Sequence, residues 1–125
     1  LKSLKIKKLT IFTPYTNEIN KSVINYFEKE DIELSELSYF DLASDLDIGR
    51  VDPDYLFDVL TKIDLSNSDA LFVSCTSLPV LSIIKELKKK TNKVVLSSNQ
   101  TLIWDTLKQI KLKKEINGYG ELFSN

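Results

Sequence analysis

At 125 residues the chain is long enough to bury one hydrophobic core and too short to divide it, so a single domain over residues 1–125 is expected. Its 17 basic residues nearly balance 18 acidic ones, and the lysines are dispersed among acids, which argues against a dedicated nucleic-acid surface. Histidine is absent, which removes the commonest general base and the commonest neutral metal ligand, so neither zinc chemistry nor a histidine-assisted nucleophile is expected.

The opening LKSLKIKK reads as the last turn of a helix and holds no secretory apolar segment with a cleavage site. With Leu1 in first place and no methionine anywhere, the sequence reads as a segment of a longer protein. Lys8 to Thr13 (KLTIFT) is β-branched and apolar and predicts a first strand, stopped by Pro14. From Thr16 or Asn17 to about Lys29, the apolar residues Ile19, Val23, Ile24 and Phe27 recur at helical spacing. A second strand is expected in IELSELSYF, followed by a loop, DLASDLDIGR. Asp52 and Pro53 then read as an N-cap and a first-turn proline, with Tyr55, Leu56, Val59, Leu60 and Ile63 as the apolar stripe. ALFVS is the third strand, and Thr76 or Ser77 is the expected cap of a helix carrying Val80, Ile83, Ile84 and Leu87, with Pro79 in its first turn. KVVLS is the fourth strand, Ser98 or Asn99 the cap of QTLIWDTLKQI, and the tail KLKKEINGYGELFSN has no clear period. None of the apolar runs approaches the length of a membrane span, and one cysteine cannot form an internal disulfide, so a soluble, cytoplasmic protein is expected.

Four strands alternating with four helices, each strand a short continuous apolar run, predict an α/β fold: a flavodoxin-like, doubly wound domain with a four-stranded parallel sheet. Ligands bind such folds at the carboxyl ends of the strands. Three of those ends carry small polar residues: TPYT (13–16), SCTS (74–77) and SSNQ (97–100). The lone Cys75 therefore falls in a polar ring at that edge. Immediately before a helix, its thiolate would be favoured by unpaired N–H groups and the helix dipole. The same N–H groups, with the hydroxyls of Thr76, Ser77 and Ser98, would hold a carboxylate or an enolate oxygen. A small buried filler is the competing reading of a lone cysteine. A cysteine phosphatase is excluded by Leu81, which stands where the phosphate-binding arginine belongs, and a receiver by the lack of a carboxylate at the first strand end. No GxGxxG or GxxxxGK[ST] is present, and no cofactor is expected. A non-catalytic, small-ligand-binding flavodoxin-like module stays open.

LTIFTPYT, DIGRVDP, DALFVSCTSL, KVVLSSNQTLIWDTLK and GYGELF, in this order, resemble the aspartate/glutamate racemase superfamily, and within it the branch of maleate cis-trans isomerases, arylmalonate decarboxylases and ectoine-utilisation proteins. The resemblance covers nearly the whole chain. It implies one half of a pseudo-twofold, two-domain protein: this chain matches the second domain, and the first domain is absent. Cys75 matches the second-half cysteine, which is an acid/base thiol in the racemases, protonates the carbanion in the decarboxylases, and assists a first-half thiol in the maleate isomerases. Tyr15 matches a carboxylate-binding tyrosine, where the plain alternative is an aromatic residue packed on the sheet edge. The Thr76 N–H matches a donor beside the thiol. Asn99 either supports the cysteine loop, contacts substrate, or simply caps a helix.

The pattern departs from the family in two places. Ser44 or Asp45 stands where maleate isomerases often have asparagine, and an aspartate there would repel a dicarboxylate. Pro79 replaces an arginine, and Arg50 is near in sequence but reads as a solvated or capping residue. The resemblance implies a cofactor-independent isomerase acting on a small dicarboxylate through a cysteine thiolate, of maleate isomerase type, with amino-acid racemase or arylmalonate-type decarboxylase as alternatives. Its partners would be a small anionic carboxylate and the missing N-terminal domain or a second subunit, with no nucleic acid and no membrane. The chain alone is expected to fold without turning over substrate.

Overall fold

The computed structural model describes residues 1–112 and 116–123. A 3-10 turn (Lys2–Leu4) leads into β1 (Lys8–Thr13), α1 (Asn17–Glu28), β2 (Glu33–Tyr39), α2 (Asp45–Gly49), α3 (Pro53–Leu60), β3 (Ala70–Val73), α4 (Ile84–Thr91), β4 (Val94–Ser97) and α5 (Ser98–Gln109). A second 3-10 turn (Glu121–Phe123) ends the described residues. The expectation of an aperiodic tail falls partly on residues 113–115 and 124–125, which lie outside the described residues.

All strand pairs are parallel, and the sheet runs β2-β1-β3-β4. This is the expected doubly wound, flavodoxin-like arrangement. Period-two alternation sends neighbouring residues of each central strand to opposite faces. Phe12, Leu71, Val73 and Val95 point to one face, where Leu56 and Leu60 of α3 and Ile84 and Leu87 of α4 cover them. Leu9, Ile11, Ala70 and Leu96 point to the other, under Phe27 of α1 and Leu122 and Phe123 of the C-terminal turn. Trp104 and Leu107 of α5 pack on that second face as well. With both faces covered, Leu9, Ile11, Leu56, Leu60, Leu71, Ile84 and Leu87 reach zero exposure. Each such side chain contributes about 1.5–3 kcal/mol.

One short anchor fixes the amino end of the sheet. Asp69, just before β3, accepts the N–H groups of Lys7 and Lys8 through one carboxylate oxygen, both at 2.9 Å. At the outer edge of β4, Gly120 (φ 87°) lies so close that a Cβ there would stand 2.9 Å from Gln100 Nε2 and 3.6 Å from the Val95 carbonyl.

Four local expectations need correction. The segment after β2 holds a short helix, α2, because Ser44 adopts an extended conformation and Ile48 finds a buried site. In α3 the Asp52 cap is as expected, accepting from Tyr55 N at 3.0 Å, but Tyr55 itself is exposed and Ile63 lies beyond the helix. The helix after β3 begins only at Ile84. Residues 76–83 form turns instead, since Leu78, Val80 and Ile83 bury better as an irregular segment packed on the core than as an early helical turn. Finally, α5 is capped by Ser97, whose hydroxyl accepts from Gln100 N at 3.2 Å, not by Ser98 or Asn99.

Candidate active site

The carboxyl ends of β1, β3 and β4 converge, and each contributes one piece. After β1, the buried Thr13 donates its hydroxyl to Asn20 Oδ1 at 2.6 Å. Asn20 Nδ2 donates in turn to the Tyr15 carbonyl at 3.2 Å, and Tyr15 N donates to Thr13 Oγ1 at 3.3 Å. The loop after β2 is laced to the same turn, with Phe40 N donating to Thr13 O at 3.1 Å and Leu42 N to Pro14 O at 2.8 Å. A buried, closed network of this kind fixes the TPY turn and hence the Tyr15 ring.

Tyr15 is half-buried against the cluster that includes Cys75. Burial pushes its phenol up from the ordinary tyrosine value; the Cys75 side chain and the charge of Asp45 push the same way, while the Ser74 side chain opposes them. The outcome is a tyrosine held as a neutral O–H donor beside the thiol.

The β3 end supplies the thiol itself. Ser74 N continues the β1–β3 ladder by donating to Phe12 O at 2.8 Å, and the chain then breaks from the strand at Cys75 with φ 108°. Side chains rarely occupy that conformation, and holding one there costs about 1–3 kcal/mol. Because α4 starts at Ile84, the reason expected for a reactive thiol, the dipole of the following helix, does not apply. The contacts come from elsewhere. Ser77 N donates to Cys75 Sγ at 3.4 Å, and Cys75 N donates to Ser98 Oγ at 3.0 Å. Asn99 Nδ2 donates to the Thr76 carbonyl at 3.0 Å. The first turn of α5 thus grips the cysteine loop from the side. The Thr76 N–H has no partner among the described residues, and the residue is exposed.

Tyr15, Cys75, Thr76 and Asn99 are therefore brought to one edge. Asp45 is near enough for its charge to act on Tyr15, and Ser44 is half-buried beside it. The short helix carrying Asp45 backs onto the cysteine loop: Ile48 enters the Cys75 cluster, and a Cβ on Gly49 would lie 4.0 Å from the Ser77 carbonyl. Arg50 is turned away, 76% exposed, with Nη1 at 4.0 Å from Asp47 Oδ1. Among the described residues no group of three or more metal-ligating side chains is present. Sequence reasoning missed the Thr13–Asn20 pair and the grip of Ser98 on Cys75 N. Asn20 had left a signal, since it shares the stripe of Val23 and Phe27 and is a polar residue on a core-facing side of α1.

The chain is similar to known proteins over almost its whole length. A maleate isomerase of Geobacillus stearothermophilus is 29% identical over 125 residues, covering 99% of this chain and 50% of that protein. One from Alcaligenes faecalis is 28% identical, covering 99% and 49%. The chain thus spans about half the length of the curated relatives it matches. Among solved structures, the maleate isomerase Iso of Pseudomonas putida S16 superposes with a TM-score of 0.94 at 25% identity, over 99% of this chain and 50% of that one. A Nocardia farcinica maleate cis-trans isomerase mutant, solved with a covalently bound succinylcysteine intermediate, gives 0.93 at 22% identity over 98% and 51%. The family model described as arylmalonate decarboxylase matches residues 1–123. The chain belongs to that family, in the branch of the aspartate/glutamate racemase superfamily that also holds the maleate isomerases.

Proposed function

We propose that this chain is the second half of a cysteine-dependent isomerase acting on a small dicarboxylate, with maleate-to-fumarate isomerisation as the reaction. The observation that carries this reading is Cys75, held at φ 108° beside the Tyr15 hydroxyl in a chain whose curated relatives are maleate isomerases. A thiolate from the complementary half, or from a second copy, adds to one alkene carbon, and the π electrons move to the other carbon and into its carboxylate. Cys75 delivers a proton to that carbon, leaving a saturated thioether whose C–C bond rotates. Return of the proton to Cys75 and expulsion of the opposite thiolate give the trans alkene. Substrate and product are isomers, so no electrons are gained or lost. Tyr15 O–H and Thr76 N–H serve as donors to one substrate carboxylate and strengthen as charge builds on its oxygens.

A second reading, protonation of a carbanion by Cys75 after decarboxylation or during racemisation, is favoured by the match of residues 1–123 to the family model described as arylmalonate decarboxylase. Joining this chain to its complementary half and following maleate, an arylmalonate and aspartate or glutamate by NMR separates the two readings. Fumarate formation lost in Cys75→Ser supports the first, and turnover of only the other substrates replaces it with the second. No turnover of any of them, from a folded protein holding both halves, overturns both.

A further inference from the structure

We infer that Asn99 is a positioning residue that tunes the Cys75 thiol through a single peptide group. The Thr76 carbonyl and the Ser77 N–H belong to the same planar amide and point in opposite directions. Asn99 Nδ2 donates to that carbonyl at 3.0 Å, and the Ser77 N–H donates to Cys75 Sγ at 3.4 Å. A donor on the carbonyl polarises the amide and makes its N–H a stronger donor, so hydrogen bonds in such a chain reinforce one another. The path runs from the Asn99 amide through the Thr76–Ser77 peptide to the sulfur. One residue earlier, Ser98 Oγ takes up the N–H of Cys75, so consecutive residues of α5 hold the peptides on both sides of the thiol. No helix begins at Thr76, because α4 begins at Ile84, so the backbone donor that reaches the sulfur is the Ser77 N–H. The other groups facing Cys75 are the neutral Tyr15 hydroxyl and, through Tyr15, the Asp45 carboxylate, and neither is bonded to Asn99.

The inference rests on Cys75 being the working thiol, but it is tested on thiol reactivity rather than turnover, so the two can fail separately. In the full chain, Asn99→Ala should slow alkylation of Cys75 at neutral pH by about fivefold, the size expected when one hydrogen bond to a charged group weakens. The amide proton of Ser77 should shift upfield at the same time, a change that mere loss of helix stability would not produce. Asn99→Asp keeps the shape and suits the first turn of α5, because a negative charge is favourable at a helix N-terminus. It should melt no lower than the parent yet alkylate still more slowly, since the donor is replaced by an acceptor and a charge. Unchanged alkylation in Asn99→Asp, or a Ser77 amide that does not move in either variant, overturns the inference.

Discussion

Cys75 occupies a backbone conformation that suits glycine, and this makes an unusual stability ordering testable. The residue has φ 108° and is 6% exposed. Cys75→Ala keeps the strain and removes a buried sulfur, a loss of about 1 kcal/mol at ~25 cal/mol per Å2. Going on to glycine relieves about 1–3 kcal/mol of strain but loses ~0.8 kcal/mol of methyl burial and adds ~0.5–1 kcal/mol of unfolded-chain entropy. The net for alanine to glycine therefore runs from about 0.8 kcal/mol against glycine to about 1.7 kcal/mol in its favour. At an unstrained buried site the same exchange runs about 1.3–1.8 kcal/mol against glycine. Urea denaturation of the two variants, followed by circular dichroism and by fluorescence of the single Trp104, measures the difference. A glycine variant less stable than the alanine variant by about 1.3 kcal/mol or more would refute the claim of strain.

Tyr15 should ionise above the ordinary tyrosine value, because burial and the neighbouring Cys75 and Asp45 raise it. Its contribution to folding is complete below the ordinary tyrosine value and is lost as pH rises through the folded value. A phenolate titration compared with that of Tyr15→Phe isolates its step, and a Tyr15 that titrates at or below the ordinary tyrosine value contradicts the site geometry. Asp69 carries the opposite sign: the Lys8 and Lys7 N–H groups hold its carboxyl below the ordinary 3.8, so the stability it confers is present above that value and fades as pH falls through the lower folded value. Asp69→Asn should flatten the acid limb of the stability profile, and an unaltered limb counts against the anchor. Gly120→Ala should cost about 2 kcal/mol in chemical denaturation, from positive φ and the approach to Gln100 Nε2, and a loss below about 0.5 kcal/mol would show that the turn is free to move.

Three strands were legible because each is a short apolar run with a punctuating residue: Pro14 after β1, Asp69 before β3 and Ser97 at the end of β4; the half-polar β2 was marked less cleanly. Asp52–Pro53 marked the start of α3 correctly, since the cap and the proline are both local signals. The segment after Cys75 misled for the opposite reason. Val80, Ile83, Ile84 and Leu87 have helical spacing, but Leu78 and Val80 are claimed by the core before the helix can form, a tertiary decision with no local trace. The position of Cys75 at a strand end was readable, whereas its φ and its bond to Ser98, 23 residues away, depend on how β4 lies beside β3. Tyr15 was placed by its motif, but the network beneath it required knowing that Asn20 faces Thr13.

The lie of Gly120 against β4 bears on how this chain can join a second one. A parallel sheet invites extension at any bare edge, and unprotected edges also lead to uncontrolled fibrous association. At one margin Gly120 lies close to β4, where a Cβ on it would stand 3.6 Å from the Val95 carbonyl. At the other, β2 presents the exposed acids Glu33 and Glu36 and shifts register against β1 between Leu9 and Thr10, both of which discourage a neighbour. Neither margin is a template for continuing the sheet. The surfaces this leaves for association with another chain are its loops and helices, and association through those leaves the curvature and register of this sheet as they are.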